Sequence, residues 1–154
     1  MKGEGIAIVA QRPGQSAEDW HRELPGIIKR FTDKGIETEL MEGRNWLLPK
    51  EGCFWLMRLR GDAEALAALS KFPDFYGGAW LLEELPELKE AEVEVRLYHS
   101  GDGIFGNKEP KAAWARHLPT GIEARCADSR NPEENMVWAR RALAAKMAVG
   151  GMDR

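Results

Sequence analysis

The sequence predicts an α+β protein: a small lobe ordered β-α-β-β-α, followed by a strand, a glycine-rich loop, a β-hairpin and a closing helix. Three observations carry this. Apolar and polar residues alternate at 36–40 and 92–97, as in strands with one wet face. Apolar residues recur at three- and four-residue spacing after Ser16 and after Asn131, as on helices buried along one side. Glycine and proline cluster between these segments, at 73–86, 100–107 and 118–121.

In the first lobe, residues 1–72, the run Gly5-Ile-Ala-Ile-Val-Ala10 has the continuous apolar character of a central strand. Ser16 and Asp19 form a capping-box pattern, after which Trp20, Leu24, Ile27, Ile28 and Phe31 fall at helical spacing. Pro25 lies inside that pattern and predicts a kink or two short helices. Gly35 follows its end. Ile36, Thr38 and Leu40 alternate with Glu37 and Glu39 in a second strand, and Cys53–Arg60 reads as a third. Asp62 caps a helix running through Leu66, Leu69 and Phe72. The order is that of half a ferredoxin-like unit.

Residues 73–90, with Pro73, Gly77, Gly78, Pro86 and an acidic end, are expected to connect this lobe to the second, residues 91–150. There Val93, Val95 and Leu97 alternate with Glu92, Glu94 and Arg96. The glycine loop Ser100–Asn107 comes next. Ala112–Arg116 and Ile122–Cys126 form a hairpin around Leu118-Pro-Thr-Gly121, where Gly121 is expected to close a type I turn. Asn131 is an N-cap with Pro132 at the first helical position and Glu134 completing the box; Met136, Ala139, Leu143 and Met147 are the expected buried stripe, and Gly150 ends it.

Composition narrows the function. The 154 residues carry a net charge of −3 and are 44% hydrophobic, which suits a folded soluble chain and argues against disorder. No run approaches the ~18 apolar residues of a membrane span, and Met1–Ala10 lacks the features of a signal peptide, so the expectation is a cytoplasmic protein without a membrane partner. Cys53 and Cys126 are too few and too far apart for a disulfide framework or a zinc cluster, and they are expected to be reduced. The charge is uneven: residues 1–90 hold 12 basic and 16 acidic side chains, residues 91–154 hold 10 and 9. Any nucleic-acid role must use a local basic patch in the second half.

That half carries a resemblance. His117-Leu-Pro-Thr-Gly-Ile122, a short strand, then Ser129-Arg130 and Asn135 opening the last helix resemble the catalytic domain of class I peptide chain release factors, over roughly residues 92–147. The family typically reads His-(Ile/Leu)-Pro-Thr-Gly-Ile, then Arg-Ser-Gln-x-x-Asn. The length and the small lobe in front are similar to the short bacterial members called peptide chain release factor H. At the place of the family's Ser-Gly-x-Gly-Gly-Gln-x-x-Asn loop stand Gly101, Gly103, Ile104, Phe105, Gly106 and Asn107, one residue short, with isoleucine for the second glycine and phenylalanine for the glutamine. Asn131-Pro132 replaces the Ser-Gln pair, and Gly150–Arg154 has none of the basic character of the tails on ribosome-rescue homologues.

The resemblance implies a role in translation termination or ribosome rescue, with the ribosome or tRNA as partner, no cofactor, and peptidyl-tRNA ester hydrolysis as the family activity. The diverged loop predicts weak or absent hydrolysis. Arg125, Arg130, Arg140, Arg141 and Lys146 are the candidate RNA-binding residues. The alternative is a non-catalytic protein-interaction module on the same scaffold, its acidic first lobe meeting a protein partner. Unrelated enzyme chemistry finds little support. His21, His99 and His117 lack metal-ligand spacing, and the neighbours Ser100, His99 and Asp102 point apart too much to form a triad. Of the six tryptophans, Trp20, Trp55 and Trp138 belong to apolar patterns and are expected in the core, whereas Trp46, Trp80 and Trp114 are open to packing or to stacking roles.

Overall fold

The computed structural model describes residues 2–41, 46–48, 52–99 and 110–149. The chain divides into two units, the second comprising Pro86–Ala148.

In the first unit, strand β1 (Lys2–Ala10) lies between β4 (Gly52–Asp62) and β5 (Gly77–Leu81), with β2 (Ile36–Leu40) on the far side of β4. All these pairings are antiparallel. A short β3 (Trp46–Leu48) also pairs with β4. Helix α1 (Ala17–Asp33) buries Trp20, Leu24, Ile27 and Phe31 against a cluster that includes Ala7, Val9, Trp55, Met57 and Leu59. Successive strand residues face opposite sides, which is why alternate residues of β1 and β4 enter one cluster. Trp20 and Trp55 stack with ring centroids 5.1 Å apart, so both are core residues as their patterns predict.

The Ser16 hydroxyl accepts from the Asp19 N–H at 3.1 Å, which is the expected cap. Pro25 does not divide α1. It sits on the exposed side, where water can satisfy the carbonyl that loses its partner. Asp62 caps α2 (Ala63–Ala67) through the Glu64 N–H at 3.2 Å, but this helix is shorter than expected and gives way to a 3₁₀ turn at Leu69–Lys71.

The stretch expected as a connection contributes β5 to the first sheet. Its glycines read as breakers in sequence, yet Gly77 is there because the backbones approach closely. A Cβ at Gly77 would lie 1.9 Å from the Ile8 carbonyl oxygen, and Gly77 also has φ +138°. The Trp80 ring covers Gly78, so Trp80 is half-buried and packed.

The second unit is a three-stranded antiparallel sheet, β6 (Val93–Tyr98), β7 (Ala112–His117) and β8 (Glu123–Cys126), with helix α3 (Pro132–Val149). These are the strand, hairpin and helix that the sequence predicts. One face of the sheet carries Ala113, Ala115, Ala124 and Cys126, all buried, and α3 reaches this face through Asn135. Along α3, Trp138, Ala139 and Leu143 are buried as expected, but Ala142, Ala144 and Ala145 are buried too. The buried residues of α3 therefore extend beyond a single stripe.

Candidate functional site

The residues that carry the resemblance build the frame of the second unit. His117 ends β7, and its N–H donates to the Ile122 carbonyl at 2.8 Å while its own carbonyl accepts from the Gly121 N–H at 2.7 Å. The turn is therefore closed from His117, one residue earlier than a type I turn over 118–121 would be. Gly121 has φ +76°, a left-handed conformation that disfavours any side chain. The Leu118 N–H donates to the Glu92 carbonyl at 2.8 Å, tying the turn to the residue before β6.

The His117 ring is buried. Its Nδ1 lies 2.8 Å from Thr120 Oγ1, and its Nε2 lies 3.3 Å from a Glu92 carboxylate oxygen. Thr120 Oγ1 also accepts from the Ile122 N–H at 3.3 Å. A neutral ring whose Nε2–H donates to Glu92 leaves Nδ1 to accept from the Thr120 O–H, which also lies 3.8 Å from Met147 Sδ, while Thr120 Oγ1 accepts from the Ile122 N–H. His117 thus serves as a clasp between turn and strand.

Asn135 forms a second anchor at the start of α3 and is wholly buried. Its Nδ2 donates to the Lys111 carbonyl at 2.7 Å and to the Ser129 carbonyl at 2.8 Å. Its Oδ1 accepts from the Ser129 N–H at 3.0 Å and faces the Cys126 thiol at 3.5 Å. One side chain binds the entry to β7, the end of β8 and the turn before α3. Asn131 caps the helix through the Glu133 N–H at 2.9 Å. The expected reciprocal bond from Glu134 is relayed: the Asn131 N–H donates to Ser129 Oγ, which donates to Glu134 at 3.1 Å.

Gly101, Gly103, Ile104, Phe105, Gly106 and Asn107 lie outside the described residues. The five basic candidates do not share one face. Arg125 stands on the sheet surface opposite Ala124 and Cys126, its guanidinium 5.7 Å from the Tyr98 ring centre. Arg130 is exposed in the turn before α3. Arg140 forms a two-nitrogen ion pair with Glu90, and Arg141 lies 4.7 Å over the Trp138 ring. Lys146 is turned inward: it is buried, and its ammonium donates to the Glu123 carbonyl, so it is removed from the exposed basic candidates. Spacing along α3 cannot reveal this, because a lysine at a buried register reads the same as one at an exposed register until its carbonyl partner is known.

Sequence reasoning passed over Arg96 and Arg116. Both stand with Arg125 on the same sheet surface, around Trp114, and the period of two in 94–98 and 112–116 would have placed them there. Among the described residues no helix is long and apolar enough to cross a membrane, and no group of three or more His, Cys, Asp or Glu side chains could hold a metal ion.

No family profile matches the chain. Its sequence aligns with peptide chain release factor 2 of Haemophilus influenzae at 24% identity, covering 92% of this chain and 46% of that protein. It aligns with peptide chain release factor 1 of Symbiobacterium thermophilum at 34% identity over 73 residues, 42% of this chain and 20% of that one. In structure it matches release factor 2 of Thermus thermophilus with a TM-score of 0.56 and 22% identity, over 99% of this chain and 50% of the other. The chain is class I release-factor-like.

The release-factor-like chain spans half or less of the length of each of these relatives. Its likeness to release factor 2 extends through most of the sequence, beyond the 92–147 stretch where the motifs are legible.

Proposed function

We propose that this release-factor-like chain acts in translation termination or ribosome rescue, binding the ribosome or tRNA in the cytoplasm with weak or no hydrolysis of the peptidyl-tRNA ester. The observation that carries the reading is the alignment with release factor 2 over 92% of the chain, together with the same fold over nearly all of it. The His117 clasp and the Asn135 hub support it, since both lie in the motifs that the resemblance rests on.

The weak-hydrolysis part of the proposal rests on chemistry at the loop. In the family, two glycines and a glutamine set a backbone N–H and a side-chain amide beside the ester. Ile104 is β-branched and resists the positive φ open to glycine, and Phe105 supplies no polar side chain. Stabilisation of the developing oxyanion needs donors in place beforehand, and one of them is missing here.

Purified chain added to ribosomes carrying peptidyl-tRNA tests both parts. Binding with little peptide release is the expected result. Full release overturns the weak-hydrolysis claim. Absence of binding to ribosomes and tRNA overturns the translational role and favours a protein-interaction module, for which the acidic balance of residues 1–90 speaks.

A further inference from the structure

The sheet of the second unit has a second face, turned away from the alanines and Cys126. Strand register defines it: Glu94, Arg96 and Tyr98 on β6, Arg116, Trp114 and Ala112 on β7, Glu123 and Arg125 on β8. Arg96, Trp114 and Arg125 form one cross-strand row. The Arg96 guanidinium lies 6.0 Å from the Trp114 ring centre, and Arg125 reaches across β7 to Tyr98. Both rings are half-buried while all three arginines are exposed. Arg96 is held by Glu94 at 2.7 Å, and Arg116 stands 3.9 Å from Glu123.

We infer that this face is a platform for unpaired RNA, with bases stacking on Trp114 and Tyr98 and phosphates meeting Arg96, Arg116 and Arg125. Flat rings fixed in a sheet and bordered by guanidinium groups suit single strands, because every base has a π-face and the backbone supplies the anions. Trp114 and Tyr98 are diagonal neighbours on adjacent strands, roughly 7–8 Å apart at the backbone, so one strand can engage both. Three arginines outnumber the two glutamates on the face, against the acidic balance of the whole chain. Two ion pairs hold the surrounding side chains in place, and Arg125 is the cation directed at an aromatic ring rather than at one of these glutamates. The choice of RNA over other anions rests on the proposed translational role.

The test measures binding of the full chain to a fluorescently labelled single-stranded RNA oligonucleotide, with a duplex of equal length and an acidic peptide as competitors. Trp114→Ala is expected to weaken binding roughly tenfold or more, and Trp114→Phe to recover most of the loss. Arg125→Gln should make the plot of log affinity against log salt shallower by about 0.7, whereas Arg22→Gln, removing the same charge from α1, leaves it unchanged. Thermal melting of each variant separates lost binding from lost folding. Unchanged affinity in a folded Trp114→Ala variant overturns the platform, as does duplex or peptide competing as well as single strand. If that variant also retains ribosome binding, the translational role survives the failure; if the unaltered chain binds neither oligonucleotide nor ribosome, both fall.

Discussion

Asn135 Nδ2 donates to the Lys111 carbonyl at 2.7 Å, joining two residues 24 positions apart. The bond fastens the first turn of α3 to the chain entering β7, and the same side chain holds both backbone polar groups of Ser129. Removing a fully buried hub leaves several backbone groups without partners, each costing about 1–3 kcal/mol. Asn135→Leu is therefore expected to destabilise the second unit by at least about 2 kcal/mol, and Asn135→Asp to lose the donated bonds while keeping those it accepts. Urea unfolding followed by circular dichroism gives the comparison. A midpoint equal to the unaltered chain for Asn135→Leu would show that the hub is dispensable.

Thr120→Val removes the hydroxyl that joins Ile122 to the His117 ring, while Thr120→Ser keeps it. The valine variant should lose about 1 kcal/mol and the serine variant much less. Nitrogen chemical shifts of the His117 ring provide a direct check: with the neutral ring the proton is expected on Nε2, facing Glu92. A proton on Nδ1 would contradict the clasp described here.

Gly77→Ala places a methyl group against the Ile8 carbonyl at a separation no packing can accommodate, and at a φ unsuited to alanine. The strand β5 must shift or detach, with an expected loss of about 3 kcal/mol or more. Hydrogen exchange should quicken along 77–81 and along the β1 edge that pairs with it. Protection equal to the unaltered chain would refute the close-approach explanation.

Lys146→Met replaces a buried ammonium by an apolar chain of similar length. Its consequence should be a change in stability, with no change in the salt dependence of RNA binding, because the ammonium is directed at the Glu123 carbonyl. A shallower salt slope in this variant would return Lys146 to the RNA-facing set.

The glycine loop Ser100–Asn107 offers a gain-of-function experiment. Ile104→Gly together with Phe105→Gln restores residue types but not loop length, since the segment is one residue shorter than the family pattern. Peptide release is expected to stay near background in this double variant and to rise only when a residue is also inserted. Robust release from the double substitution alone contradicts this expectation.

Sequence periodicity revealed the elements of the fold wherever a local rule was sufficient. Ser16, Asp62 and Asn131 cap helices because their oxygens are short enough to reach nearby N–H groups, and that is visible without tertiary information. Strand β5 was illegible because Gly77 answers to the backbone of β1, far away in sequence. The inward turn of Lys146 was hidden for a similar reason: its partner lies 23 residues upstream. At the candidate site, the motif around His117 was legible as a pattern, but the Glu92 half of its clasp was not, because it joins the end of β7 to the start of β6. The Arg96–Trp114–Arg125 row was available in the alternation and became visible only when register set the three strands side by side.

Small side chains dominate what is buried on β7, β8 and α3, among them Ala113, Ala115, Ala124, Ala139, Ala142, Ala144 and Ala145. A lining of methyl groups conceals little hydrocarbon per residue. Opening that lining exposes correspondingly little apolar surface, so the heat-capacity increment per residue falls below that of a leucine-rich domain. The curve of stability against temperature is flatter as a result, and this interior keeps more of its stability on cooling than one built from large aliphatic side chains.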